Sequence, residues 1–348
     1  MRSFLQFIFG IRVFFRGLSL RNYLKIIKFI YKRYLLKVPI PFSVVFALTY
    51  RCQCNCIHCS VGDYKKSNDE LSDQEVKAVI DFINNWGPVK ITFFGGEPLL
   101  RNNLVEFTSY ASKKGIRVSL DTNGLLLNEK LVVDLKKSGI ANINISLDSS
   151  SEFLHDALRK KQGCFQSAIR GIQLCVKYKI PCLISTYASK RSIKGNDLKK
   201  IIELAKKMKV NGVKILFPIL SGKWREADEE KLNSIEEEYV NSFLDPLFVY
   251  IEDALEMVKK NGKGCSALER NLVYISPSGD IQPCPAIPIT FGNIREANIK
   301  EIVERMSKHV FFKRYKSCQT CLMNDNNFRN AYFSIKKDKI LPINVEEI

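Results

Sequence analysis

Residues 44–59 read VVFALTYRCQCNCIHC, an apolar, β-branched run that passes directly into a loop containing four cysteines. The first part, residues 44–48, predicts a buried β-strand. Five similar runs follow along the chain, at residues 89–94, 116–120, 143–147, 180–185 and 213–217. The cysteine loop therefore begins where the first of six predicted strands ends.

Amphipathic helices fit between these strands. They are predicted at residues 73–84, 104–113, 128–137, 164–178 and 196–208, with cap residues at Ser72, Asn103 and Asn128. Six strands alternating with five helices predict an α/β fold, in which a parallel sheet with right-handed crossovers curls into a partial (β/α)6 TIM-like barrel. In such a fold the carboxyl ends of the strands carry the chemistry.

The cysteine content also bears on the compartment. The chain has 348 residues, of which 46% are hydrophobic and eleven are cysteine. No small-residue cleavage site follows the apolar run that ends at Ile11, so we expect a cytoplasmic protein. Clustered thiols in a reducing compartment are expected to be metal ligands or reactive groups rather than disulfides.

Positive charge is concentrated at the N-terminus. Residues 1–62 hold ten Lys and Arg and no acid, so the net charge of +18 leaves 18 − 10 = +8 for the other 286 residues. Two amphipathic helical patterns, broken near residues 17–19, carry this charge. Their apolar stripes are Phe4, Phe7, Ile8, Ile11, Phe15 and Leu18, then Leu20, Tyr23, Leu24, Ile27, Tyr31, Tyr34 and Leu35.

Two interpretations of this arm stay open. Residues 1–37 could meet an anionic membrane surface, with the basic residues of the second helix on one face and the apolar stripe in the lipid interface. Those basic residues are Arg21, Lys25, Lys28 and Lys32. Alternatively, the arm could pack on the barrel with its charges in water.

The cysteine loop has the spacing of a cluster site. Cys52, Cys56 and Cys59 form a CxxxCxxC triplet, and three thiolates on a [4Fe–4S] cluster leave one iron open for a small-molecule ligand. An open iron can bind the amino and carboxylate groups of a methionine derivative. Zinc is the alternative metal. Cys54 is predicted to be a spectator rather than an alternative ligand.

Polar segments follow the next three predicted strands. They are Gly95-Gly96-Glu97-Pro98, Asp121-Thr122-Asn123-Gly124 and Ser146-Leu147-Asp148. Together with the triplet after strand one, the GGEP segment after strand two resembles the radical S-adenosylmethionine (radical SAM) superfamily, over about residues 43–321.

The resemblance implies a cofactor site made from these segments. It implies that Gly95, Gly96, Glu97 and Pro98 receive the amino group of S-adenosylmethionine, and that His58 lies near its adenine. Ribose and carboxylate contacts are implied for Thr122, Asn123, Ser146, Asp148 and Arg159. For Arg159 the alternative is a surface arginine. Ser185 and Thr186 are expected to line the same cavity, whereas His155 and His309 are expected to be structural.

A second cysteine group lies near the C-terminus. Its members are Cys265, Cys284, Cys318 and Cys321. With the intervening Ser278-Gly279 and Gly292-Asn293 segments, they resemble the SPASM and Twitch extensions of the same superfamily. The resemblance implies one auxiliary [4Fe–4S] cluster, as in the Twitch form, because no cysteine follows Cys321; a structural zinc site with four thiolate ligands is the alternative. Cys164, Cys175 and Cys182 are predicted to be small buried apolar residues.

These observations predict five regions. They are a cationic arm (residues 1–41), a core barrel (42–224), a helical connector (225–261), a SPASM/Twitch-like module (262–330) and a tail (331–348).

The resemblance implies reductive cleavage of S-adenosylmethionine to a 5′-deoxyadenosyl radical, followed by hydrogen abstraction from a peptide or small molecule. Flavodoxin or ferredoxin is the implied electron donor. A lipid or isoprenoid substrate, an RNA substrate and a non-catalytic zinc scaffold are the alternatives. Nucleic acid is not the expected partner, because the chain shows no evident RNA-binding module.

Overall fold

The computed structural model describes residues 17–64, 69–251, 265, 267–315, 321–333 and 341–347. In these ranges one nine-stranded sheet has the order β7-β6-β5-β4-β3-β2-β1-β8-β9. Its strands are β1 (Ser43–Thr49), β2 (Lys90–Gly95), β3 (Arg117–Thr122), β4 (Asn142–Ser146), β5 (Cys182–Tyr187), β6 (Gly212–Leu216), β7 (Val249–Ile251), β8 (Leu272–Ile275) and β9 (Ile281–Gln282). A separate parallel pair is formed by β10 (Ile289–Thr290) and β11 (Ile343–Asn344).

Twelve α-helices are described in the same ranges. They are α1 (Leu20–Ile30), α2 (Asp73–Trp86), α3 (Leu104–Lys113), α4 (Glu129–Lys137), α5 (Glu152–Arg159), α6 (Cys164–Lys177), α7 (Lys190–Lys194), α8 (Asp197–Lys207), α9 (Ser234–Ser242), α10 (Ile299–Lys308), α11 (Val310–Arg314) and α12 (Asn326–Phe333). A π-helical turn, Tyr31–Leu35, continues α1.

The predicted six-stranded parallel core is confirmed. Strands β1 to β6 lie side by side in chain order, and each neighbouring pair is parallel. Helices α2, α3, α4, α6 and α8 occupy the five predicted crossovers. All six strands therefore point their carboxyl ends to one edge, where the cysteine loop leaves β1.

The sheet extends beyond the predicted core at both edges. Strand β7 pairs parallel with β6, and β8 pairs parallel with β1, while β9 adds an antiparallel edge. The sequence prediction missed these strands because each spans only two to four residues. It also missed the short helices α5 and α7. Strand β7 follows α9, so the predicted connector is not helical throughout its described part.

Two of the three predicted helix caps form. The Ser72 side chain accepts from the backbone N–H of Glu75, whose side chain returns the bond in a capping box. Asn128 accepts from the N–H of Leu131 at 2.9 Å. Asn103 does not cap α3, because its side-chain amide instead donates to the carboxylate of Asp73.

The N-terminal helix α1 rests on the barrel through a small apolar contact. Its Phe29 is buried and packs with Ile40 and Val89. Ser19 caps the helix and exchanges hydrogen bonds with Asn22. The first predicted arm helix, whose stripe runs from Phe4 to Leu18, lies outside the described residues except at its end, where Leu18 precedes the Ser19 cap of α1.

Candidate active site

The cysteine loop is held in place by backbone hydrogen bonds to two other segments. The N–H groups of Asn55 and Ile57 donate to the carbonyls of Arg159 and Leu158, at 3.1 and 3.0 Å. These bonds tie the loop to the last turn of α5. Backbone groups make both of these bonds.

The GGEP segment holds the beginning of the same loop. The N–H of Gly96 donates to the Thr49 carbonyl at 2.7 Å, and that of Glu97 donates to the Arg51 carbonyl at 2.8 Å. A Cβ at Gly95 would lie 2.1 Å from the Thr49 oxygen, and one at Gly96 would lie 2.4 Å from the Arg51 oxygen. Glycine is therefore required so that the end of β2 can approach the backbone before Cys52.

The Glu97 carboxylate is fully buried and already engaged. It accepts hydrogen bonds from the N–H groups of Leu99 and Asn123 and from the hydroxyl of Thr122, at 3.1, 2.8 and 2.7 Å. Burial raises the pKa of Glu97 to about 7, although these hydrogen bonds oppose the shift. Glu97 thus joins the end of β2 to the turn after β3.

Asn123 faces the cysteine loop. Its Nδ2 lies 3.7 Å from the Cys52 sulfur and 3.6 Å from the Cys54 sulfur, and its Oδ1 accepts from the N–H of Leu125 at 2.9 Å. The structure therefore places Asn123 beside the thiols. Ser146 is half-buried at the end of β4, opposite Ser185 of β5.

Arg159 is buried and lies between a thiol and a carboxylate. Its Nη1 donates to the Cys56 sulfur at 3.7 Å, and its Nη2 lies 2.6 Å from Asp148 Oδ2. Nε2 of His58 lies 3.3 Å from the same carboxylate oxygen. Burial alone would raise the pKa of Asp148, but Arg159 and His58 hold it well below its usual range.

His155 has a structural role beside Asp148. Its Nδ1 accepts from the backbone N–H of Asp148 at 3.1 Å. The side chain is fully buried and contacts the ring of Phe165 edge-on.

An aromatic group surrounds His58 and was missed by the sequence analysis. The His58 ring lies 4.7 Å from the Tyr187 ring and 5.6 Å from the Trp224 ring, measured between centroids. Tyr187 ends β5, so its strand-end position was an available signal. Side chains alternate along a strand, so Thr186 points to the opposite side of β5 from Tyr187. The expectation that Thr186 lines the cavity stays a prediction, although the contact with His58 is made by Tyr187.

Cys54 and Cys164 are close neighbours. Their sulfur atoms lie 3.9 Å apart, and Cys164 is fully buried at the first turn of α6. Cys175 and Cys182 are also buried, as predicted. Cys164 differs from those two, because it contacts the cysteine loop.

The pKa values of the three triplet thiols are shifted in different directions. Hydrogen bonds from Cys54 lower the pKa of Cys52 and of Cys56, and Arg159 lowers that of Cys56 further. Burial and the neighbouring Cys56 raise the pKa of Cys59 to about 11. A buried guanidinium beside Cys56 would offset the negative charge of a thiolate-bound cluster.

The described residues contain no three His, Cys, Asp or Glu side chains grouped so as to hold a single metal ion. The lack of such a group among the described residues does not argue against an iron–sulfur cluster. The ligands of one zinc ion all lie about 2.3 Å from the same atom, whereas each thiolate of a [4Fe–4S] cluster binds a different iron.

Three of the four C-terminal cysteines lie in one neighbourhood. Burial raises the pKa of Cys284, and the nearby thiols of Cys265 and Cys321 raise it further. The fourth member, Cys318, lies outside the described residues. Strand β8 links this region to the catalytic sheet, because it pairs directly with β1.

Comparisons with known proteins agree with this geometry. The family model of the radical SAM superfamily matches residues 46–189, and that of SPASM, an iron–sulfur cluster-binding domain, matches residues 265–322. An AdoMet-dependent heme synthase from Methanosarcina barkeri is 29% identical over 76% of this chain and 82% of that protein. An Fe-coproporphyrin III synthase from the same organism is 33% identical over 56% of this chain and 48% of that protein.

Solved structures share the fold at low sequence identity. Streptococcus suis SuiB bound to its precursor peptide SuiA has a TM-score of 0.64 at 16% identity, covering 81% of this chain and 70% of that one. Native anSMEcpe with bound AdoMet has a TM-score of 0.62 at 19% identity, covering 87% and 93%.

The matched ranges contain both cysteine groups and the strand ends described above, which removes the non-catalytic zinc scaffold as an interpretation. The chain belongs to the radical SAM superfamily, and it is an enzyme with [4Fe–4S] clusters, S-adenosylmethionine as its cofactor and a C-terminal SPASM module.

Proposed function

We propose that this enzyme abstracts hydrogen from a tetrapyrrole, and that Cys52, Cys56 and Cys59 hold its radical-generating cluster. When bound, that cluster supplies the electron that cleaves S-adenosylmethionine to a 5′-deoxyadenosyl radical. The observation that carries the substrate class is the 29% identity with a heme synthase along most of both chains.

The chain's own residues would position the cofactor. Asp148 orients the Arg159 guanidinium, which lies next to the Cys56 sulfur. We assign this guanidinium to the part of the site where the cluster thiolates lie. The ring group of His58, Tyr187 and Trp224 offers apolar faces on which an adenine can stack. Ser146 and Asp148, at the end of β4, are assigned to the polar part of the cofactor.

Glu97, Thr122 and Asn123 are assigned to support rather than to cofactor contact. The Glu97 carboxylate uses three protein donors and is fully buried, so we assign any contact with the cofactor amino group to the backbone of the GGEP segment. Buried surroundings of this kind exclude water from a reactive radical.

A cation near the cysteine loop favours an anionic substrate. The Nζ of Lys223 lies 3.3 Å from the Asn55 carbonyl, and its stem passes over Gly62, where an added Cβ would lie 2.8 Å from its Cγ. Heme-type tetrapyrroles carry carboxylate side chains, which a lysine at this position could receive.

Modification of a peptide is the second candidate. Its support is the likeness to SuiB, whose structure holds a precursor peptide, but at 16% identity this likeness concerns the fold alone. We therefore rank the tetrapyrrole first. A lipid substrate draws only on the exposed apolar face of α1, which is not part of the cysteine site. An RNA substrate has no observation in its favour.

We assign electron supply to a small donor such as flavodoxin or ferredoxin, in a cytoplasmic setting. The auxiliary cluster is assigned to Cys265, Cys284, Cys318 and Cys321 and would relay an electron or bind substrate. A peripheral membrane location rests on a different surface, the exposed face of α1.

The test is turnover by anaerobically reconstituted, reduced enzyme with S-adenosylmethionine. We expect iron coproporphyrin III to raise the release of 5′-deoxyadenosine and to change mass itself, while a set of unrelated peptides does neither. Release that is coupled to a peptide and unaffected by the porphyrin would contradict the proposal. Lys223→Gln should weaken the stimulation of 5′-deoxyadenosine release by the porphyrin. The matched control is Lys207→Gln, at an exposed position, which should not weaken it.

A further inference from the structure

The N-terminal helix α1 turns its basic side toward the barrel. Lys25 Nζ donates to the side-chain oxygen of Asn84 at 2.9 Å, and Lys32 Nζ lies 3.4 Å from the carbonyl of Trp86. Arg33, in the π-helical turn, donates to the side-chain oxygen of Asn271 at 2.7 Å. These cations hold the helix on the protein and are not directed at an outside partner.

The opposite side of the same helix is apolar and exposed. Thirteen large apolar side chains are exposed in the described ranges, and nine of them lie between Leu20 and Leu36. They are Leu20, Tyr23, Leu24, Ile27, Ile30, Tyr31, Tyr34, Leu35 and Leu36. A cluster of this size on one helix marks an interaction surface rather than ordinary scatter.

We propose that this apolar face of α1 docks into a phospholipid bilayer, at the boundary between headgroups and acyl chains. Tyrosines and long aliphatic side chains suit that boundary, where one end of a ring is wet and the other is in hydrocarbon. No helix in the described part of the chain is long and apolar enough to cross a bilayer, so the docking is at the surface.

Because most of these cations point toward the protein, charge contributes little to binding of α1 to the bilayer. One of the two interpretations of the sequence has a basic face that meets anionic lipid. In the structure, however, Lys25, Lys32 and Arg33 are directed at backbone and amide oxygens of the protein. Lys28 and Lys37 are left exposed at the rim of the apolar face. Binding therefore depends mainly on apolar burial, which salt barely affects.

Charge argues for lipid over a second copy of the chain. Residues 1–62 contain no acid, so a symmetric contact between two such faces would bring the exposed Lys28 and Lys37 of both copies together without a counter-charge. Lipid phosphates supply that counter-charge at the rim.

Residues 1–16 precede α1 and lie outside the described residues; ten of them are apolar. A protein that lacks them separates lipid binding by α1 from any contribution of this segment.

The experiment is sedimentation of anaerobically reconstituted, full-length protein with vesicles of phosphatidylcholine alone. The variant is Leu24→Gln with Ile27→Gln and Tyr31→Gln, which keeps helix propensity and adds no charge. The matched control is Phe153→Gln with Ile235→Gln and Leu247→Gln, three exposed apolar residues away from α1. Circular dichroism and iron content check that both variants fold.

We expect the wild-type protein and the control to sediment with these vesicles, and partitioning of the α1 variant to fall at least about tenfold. Raising salt from about 0.1 to about 0.5 M should change wild-type partitioning by less than about twofold. Three results with the full-length protein and its variants would overturn the proposal. They are no binding to neutral vesicles, equal loss in the control, and a lipid-free dimer that dissociates in the α1 variant. A protein lacking residues 1–16 should still bind, and its failure to bind would also contradict the assignment to α1.

Discussion

Arg159 donates from Nη1 to the sulfur of Cys56 at 3.7 Å, although the two residues are 103 positions apart in the chain. The same guanidinium lies against Asp148, so a carboxylate at the end of β4 fixes the position of a charge beside a cluster thiol. These contacts join three segments of the site: the loop after β1, the end of β4 and the last turn of α5.

The first prediction concerns this buried ion pair. Replacing Arg159 by Met leaves the Asp148 charge buried without its partner, which should lower the free energy of unfolding of the apoprotein by about 3–5 kcal/mol. Asp148→Asn in the same chain should restore much of that loss, because both charges are then absent. Denaturant titration of the wild type, both single variants and the double variant measures the coupling. Strictly additive effects would show that the two groups do not interact.

The second prediction concerns the pH dependence of stability through Glu97. Its pKa is raised to about 7 in the folded protein by burial, so between the unfolded value and about 7 the folded state holds a proton that the unfolded state has lost. The contribution of Glu97 to the free energy of unfolding therefore falls as pH rises through that window, by up to about 3 kcal/mol. Glu97→Gln resembles the protonated form and removes this fall.

Stability of the Glu97→Gln apoprotein relative to wild type should thus improve between about pH 5 and about pH 8. Denaturant titration at both pH values gives the difference, and other titrating groups cancel in the comparison. A difference that does not change with pH would mean that Glu97 is ionised in both states.

The third prediction concerns Gly96. A methyl group there would lie 2.4 Å from the Arg51 carbonyl oxygen and 2.6 Å from that of Tyr50, so the start of the cysteine loop must move. Gly96→Ala should therefore lower the iron bound at the radical site by at least about half, since overpacking against backbone costs about 1–3 kcal/mol or more. Gly195→Ala, whose new Cβ would meet only the Arg191 oxygen at 3.2 Å, is the control. Normal iron content in Gly96→Ala would show that the loop tolerates the shift.

The parallel core could be predicted from sequence because each of its strands is a long apolar run. The edges could not, since β8 and β9 are short and gain their place by pairing with β1 and with each other. The prediction that Cys52, Cys56 and Cys59 bind a cluster follows from their spacing in the sequence.

The contacts around those cysteines could not be predicted from local spacing. Arg159 was named from the resemblance, but its contact with Cys56 depends on the packing of distant segments. The same holds for the contacts of Tyr187 and Trp224 with His58, which were not predicted. The roles of Glu97 and Asn123 were also not predictable, because a motif names residues without showing which way a carboxylate or an amide turns.

The fourth prediction concerns the C-terminal module. Reconstituted protein should hold about eight irons per chain, and about four when Cys284, Cys318 and Cys321 are replaced together by Ala. The remaining iron should still support cleavage of S-adenosylmethionine, because the radical cluster uses other cysteines. Zinc in the module, with about four irons in the intact protein, would reject the auxiliary cluster.

The most direct test of the account is formation of 5′-deoxyadenosine by single cysteine variants under reducing, anaerobic conditions. Cys52→Ala, Cys56→Ala and Cys59→Ala should each abolish it, because each removes a ligand of the radical cluster. Cys54→Ala should retain it, because the Cys54 sulfur lies beside Cys164 and is not assigned to the cluster. Normal cleavage by any triplet variant, or loss of cleavage in Cys54→Ala with the protein folded, would contradict the ligand assignment.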